Sequence, residues 1–90
     1  MTQKQRIINY IKTYGSITPL DAFRDLGITK LATVISLMKR EDNIIFYQHY
    51  EGAYNRFGEK VYYMRYWLDK EIYQRDMNET ELFYKDVEEK

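Results

Sequence analysis

Lys30, Thr33, Ser36 and Arg40 recur at intervals of three and four residues, so within one helix they share a face. Lysine and arginine reach the major-groove acceptors of guanine, and serine or threonine serves either a base edge or a phosphate. That is the chemistry of recognition. The same residue types also suit an ordinary solvated helix face, and spacing alone does not choose between the two. Thr29 points the same way as Thr33, Ser36 and Arg40, and Lys30 and Leu37 lie on the flank of that outward face. Further along, Arg56 and Lys60 flank a polar loop in which Asn55 either touches phosphate or, with Gly58, supplies turn conformations of positive φ. Arg65 follows on a strand, predicted to face outward. Thr18 opens a short helix, which it caps and whose N-terminal amides also suit a phosphate.

Catalytic chemistry finds no comparable set. His49 is the one histidine and there is no cysteine, so a metal has no second imidazole or thiolate to share. His49 reads instead as a partly exposed strand residue. No nucleophile stands with a base, no glycine-rich loop cradles phosphate, and no close carboxylate pair occurs outside the C-terminal tail. The chain is expected to be no enzyme and to need no cofactor.

The elements that must position these residues are written in the hydrophobic spacing. Thr2 and Gln5 form a capping box for a first helix that carries Ile7, Ile8, Ile11 and Tyr14, with Gly15 as its left-handed stop. Ser16 and Ile17 make a brief extended link. Thr18 then caps a second helix, with Pro19 at its first position and Asp21 as a capping carboxylate. Leu20, Phe23 and Leu26 are its predicted buried stripe, and Gly27 closes it. Ile28 crosses the turn and Thr29 caps the third helix, whose Leu31, Val34, Ile35 and Met38 face inward.

Helices stop near Asp42. Residues 43–52 and 61–68 are β-branched and aromatic, and the polar stretch 53–60 joins them into a hairpin. On its second strand Tyr62, Met64, Tyr66 and Leu68 are predicted inward, with Val61, Tyr63 and Arg65 outward. Residues 69–90 return to helical character. Ile72, Tyr73, Met77, Phe83, Tyr84 and Val87 share one broad face there, and Asn78 with Glu81 can divide the segment in two.

Ninety residues make one small domain with a modest core. The start MTQKQR lacks a hydrophobic signal core, and the absence of cysteine suits a reducing interior, so a soluble intracellular chain with no membrane partner is expected. Net charge is zero but unevenly spread: residues 1–40 carry +5, residues 41–68 carry −1 and residues 69–90 carry −4. The basic part suits phosphate. Ten tyrosines admit a base-stacking platform, although a hairpin packed on helices uses such residues as core, and their excess hints at a protein interface.

Three helices, a tight turn between the second and third, and a following hairpin form a winged helix-turn-helix pattern. The stretches RIINYIKTYGSITPLDAFRDLGITKL, residues 6–31, and NRFGEKVYYMRYWL, residues 55–68, resemble small winged helix-turn-helix proteins encoded in bacteriophages and prophages. That resemblance implies DNA binding, with the third helix in the major groove and the hairpin loop on the backbone or minor groove. The chain departs from the family pattern at Val34 and Leu37, where an arginine and a polar group are usual. It departs again at Asp42 and Asn43, where a glycine usually ends the helix, and at Tyr62 and Trp67, where arginines are common.

The expected fold is therefore α+β: a three-helix core with a two-stranded hairpin wing over residues 1–68, and an added acidic, amphipathic helical segment over 69–90. The expected function is that of a DNA-binding phage-type regulatory or accessory protein in the bacterial host cytoplasm. The alternative is a protein-interaction module that modulates a host or phage protein, favoured by the zero net charge, Val34, Leu37 and the acidic aromatic tail. The apolar face of 69–90 either forms a homodimer, packs back on its own domain, or brings the acidic tail across the basic surface.

Overall fold

The computed structural model describes residues 1–78. Helix α1 (Gln3–Tyr14) opens on the predicted capping box: the Gln5 amide donates to the Thr2 hydroxyl at 3.1 Å, and the Thr2 amide donates to Gln5 Oε1 at 2.9 Å. Ile7 and Ile11 enter the core, whereas Tyr14 stays in solvent against the Tyr10 ring. Gly15 ends the helix at φ 95°, a conformation that side chains rarely adopt.

Helix α2 (Pro19–Asp21) begins with Pro19 at its first position and runs directly into a π-helical turn, Ala22–Leu26, closed by Gly27 at φ 70°. That turn overrides the predicted stripe. An i→i+5 turn holds more residues than the 3.6-residue period, so positions three apart no longer share a face. The helix presses on the core through its smallest side chain, Ala22, which is fully buried. Leu20 and Phe23 are 66% and 60% exposed, and Leu26 is half-buried.

Helix α3 (Leu31–Glu41) buries Leu31, Val34, Ile35 and Met38, as their spacing predicts. Its N-cap is Lys30 rather than Thr29, and no side chain caps it. After Asp42 the chain turns at Asn43, which takes φ 55° at the place where the resembled proteins carry glycine. Asparagine tolerates that left-handed conformation better than most residues.

Strands β1 (Tyr47–Tyr54) and β2 (Lys60–Trp67) pair antiparallel, from Tyr47 opposite Trp67 to Tyr54 opposite Lys60. The first strand starts four residues later than the β-prone run at 43 suggests. The Ile44 amide is still held by the Met38 carbonyl at 3.3 Å, so residues 43–46 remain a link tied to the helix end. Phe46 in that link fills the core, edge-on to Tyr66. Ile17 and Tyr66 exchange two backbone hydrogen bonds of 2.9 Å, which fasten the α1–α2 link to β2.

Alternation along β2 sends Tyr66 into the helical core and Trp67 to the opposite face. Trp67 is nevertheless only 2% exposed. Residues 70–78 form a helix, α4, that covers it, with Asp69 Oδ1 accepting from the amides of Glu71 and Ile72. The Tyr73 ring stacks on Tyr47 at 5.4 Å and meets Trp67 edge-on at 5.0 Å, while Trp67 Nε1 donates to Asp76 at 2.8 Å. Ile72 lies beside Gly15. Ile72 and Tyr73, on the face expected either to form a homodimer or to pack back on its own domain, make these contacts within the chain. Phe83, Tyr84, Val87 and the expected break at Glu81 lie outside the described residues.

The arrangement is an α+β winged helix-turn-helix with a hairpin wing. Among the described residues no helix is long and apolar enough to cross a membrane.

Candidate nucleic-acid interface

Polar ties join the three helices in addition to the core. The Tyr10 hydroxyl donates to Asp25 at 2.7 Å, and Arg24 reaches Asp25 at 2.8 Å and Asp21 at 3.2 Å. Arg24, with the Tyr10 hydrogen bond added, holds the Asp25 carboxyl at about 2, well below the usual carboxylate range. Burial and the bond to Asp25 push the Tyr10 phenol up to about 12. At the other end of α1, Lys4 bridges Glu41 at 3.2 Å and Asp42 at 3.0 Å. Two cations therefore occupy all four acids of the helical half. Arg6, Lys12, Lys30, Lys39 and Arg40 have no carboxylate in ion-pair reach among the described residues.

Lys30, Thr33, Ser36 and Arg40 are all exposed, as is Thr29, and Leu37 is half-buried at the edge of the set. Beside them, Lys39 Nζ donates to Gln48 Oε1 at 2.5 Å and ties α3 to β1. Register and alternation place Gln48, Tyr50 and Tyr54 on one sheet face with Lys60, Tyr62, Met64 and Tyr66. Met64 and Tyr66 end in the core, but the hairpin projects past the helices. Tyr50, Tyr54 and Tyr62 are therefore exposed, against the inward placement predicted for Tyr62.

At the wing tip Asn55 is consumed by the turn. Its Oδ1 accepts from the amides of Phe57 at 2.9 Å and Glu59 at 3.0 Å, its own amide donates to the Glu59 carbonyl at 2.9 Å, and its carbonyl accepts from Gly58 at 3.1 Å. Gly58 takes φ 79°; Asn55 does not need a positive φ. Arg56 is exposed. Lys60 lies over the Tyr62 ring, its ammonium 5.4 Å from the centroid.

Residues 2–41 match the family of winged helix-turn-helix domains. No curated protein and no solved structure matches the chain. The winged helix-turn-helix match runs from the cap of α1 to the end of α3. It takes in the outward face, and it leaves Asp42, the wing and α4 beyond it.

Two residues expected to contact nucleic acid serve the scaffold instead. Thr18 is 4% exposed; its hydroxyl accepts from the Asp21 amide, and its amide donates to Asp21 at 3.1 Å. The Asp21 carboxylate thus holds the place at that helix start that a phosphate would take. Arg65 is half-buried, not outward: its guanidinium bonds both Glu51 oxygens and, at 2.9 Å, Ser16 Oγ, so it clamps β2 to β1 and to the α1–α2 link. Burial opposes the Arg65 charge most strongly, but the Glu51 hydrogen bond and charge, with Tyr63 and Asp21 nearby, together outweigh it and raise its pKa. Among the described residues no group of three His, Cys, Asp or Glu side chains gathers as a metal site requires. Sequence reasoning passed over Phe57, which is 83% exposed. Its signal was a large apolar residue beside a glycine in a loop with no strand partner to bury it.

Proposed function

We propose that this chain binds double-stranded DNA as a phage-type regulatory or accessory protein in a bacterial host cytoplasm, with α3 in the major groove and the wing on the backbone or minor groove. The observation that carries the reading is the outward face of α3. There Lys30, Thr33, Ser36 and Arg40 stand exposed on a helix whose other face is core, while the nearby acids are already paired. Thr29 and Leu37 border that face, and Arg56 and Lys60 add cations from the wing. Thr18, Asn55 and Arg65 act by holding these groups in place. Two copies on adjacent half-sites would supply affinity that one recognition helix lacks.

A mobility-shift titration against mixed genomic DNA at two salt concentrations tests the proposal. Phosphate contacts release counterions, so log K is expected to fall linearly with log salt. Absence of binding, or binding indifferent to salt, rejects it. A second reading, a docking module for a host or phage protein, is favoured by one observation: Leu20 and Phe23 stand exposed three residues apart on the second helix. Leu20→Ser with Phe23→Ser leaves DNA affinity unchanged if DNA is the sole partner.

A further inference from the structure

We infer that Phe57 is a wedge that the wing inserts between base steps of duplex DNA, so that binding kinks the duplex. This rests on the DNA-binding reading above and goes beyond it, since a wing that only touches phosphate opens no base step.

Phe57 is more exposed than any other large apolar residue of the described chain, 83% against 77% for Met1. It does not hang on a loose loop. The Asn55 side chain accepts from the Phe57 and Glu59 amides together, and Gly58 supplies the left-handed residue that completes the turn. The backbone on both sides of the ring is held, so the root of the Phe57 side chain keeps a fixed place at the wing tip. Arg56 stands exposed immediately before the ring, and Lys60 follows as the first residue of β2. Glu59, the acid of this tip, leans towards Asn55 Nδ2 at 3.5 Å.

A solvent-exposed phenyl ring carried on a held turn between cations matches what minor-groove kinking needs. Cations hold the two phosphate backbones, and an apolar side chain replaces part of the stacking lost at the opened step. Pyrimidine–purine steps, which unstack most easily, are the expected sites. The partner is thus a deformable duplex rather than a rigid one.

Short duplexes with one central TA or CA step, labelled at both ends for energy transfer, test the inference with the full chain. The parent is expected to bring the ends together, with a kink in the range of about 20–90°. Phe57→Ser is expected to abolish the approach of the ends at saturation while the salt slope stays as in the parent. Phe57→Leu, which keeps an apolar wedge, is expected to retain it. Arg56→Ala is expected to lower the salt slope by about one and keep the kink at saturation. A parent that binds these duplexes and leaves them straight overturns the wedge alone, as does a Phe57→Ser variant that bends them like the parent. A parent that binds no duplex overturns the DNA-binding reading and the wedge with it.

Discussion

Asp25 receives two donors, the Arg24 guanidinium and the Tyr10 hydroxyl, and the arrangement ties protonation to folding. Its folded value of about 2 lies below the unfolded value of about 4, so the native state resists taking the proton. The associated stability is present above pH 4 or so and is lost as pH falls towards about 2. Asp25→Asn is expected to flatten that acid limb, measured as thermal midpoint against pH. On the outward face of α3 the expectation is opposite in kind. Lys30→Ala and Arg40→Ala should weaken DNA binding while moving stability by less than about 0.5 kcal/mol, since both are exposed and free of ion pairs among the described residues. An early melt of either variant would place that face in the fold instead. Arg65 marks where residue-level reading failed. A lone strand arginine reads as outward until register sets Glu51 diagonally across from it, and register is not written in composition.

Helix α1 was legible because its apolar spacing, Thr2–Gln5 box and Gly15 stop agree, and α3 in its Leu31–Met38 stripe, although its cap is Lys30 and not Thr29. The second helix was legible in its ends only. Thr18, Pro19 and Gly27 stand where they were expected, but a π-helical turn between them breaks the period on which Leu20 and Phe23 were placed inside. Gly27 is the element's fixed point: Gly27→Ala meets open space yet must hold φ 70°, and is expected to cost about 1–2 kcal/mol in chemical unfolding. The role of α4 could not be read from its own residues, because Tyr73 acquires meaning only through Tyr47 and Trp67, which the hairpin brings together. Tyr73→Ala removes two ring contacts, each worth about 0.5–1.5 kcal/mol beyond area. It should lower the unfolding midpoint without lowering the affinity of α3 for DNA.

For the whole molecule, the charge partition gains a structural meaning. Acids of the helical half are paired by Lys4 and Arg24, which leaves the remaining cations uncompensated by neighbours among the described residues. Removing wing cations should therefore act on every DNA sequence alike. Arg56→Ala and Lys60→Ala are each expected to flatten the slope of log K against log salt by about one, checked by titration on unrelated duplexes. A loss confined to one sequence would mean that the wing reads bases. The seam between hairpin and α4 has an optical consequence. Trp67 is the one tryptophan of the chain, and folding places its indole there, shielded from water and bonded through Nε1 to Asp76. Its emission is a local gauge: lifting α4 away hydrates the indole and shifts the spectrum red, while the far-ultraviolet dichroism of α1 and α3 is unchanged. Release of the helix that braces the wing can thus be followed in the native protein, without a label and apart from global unfolding.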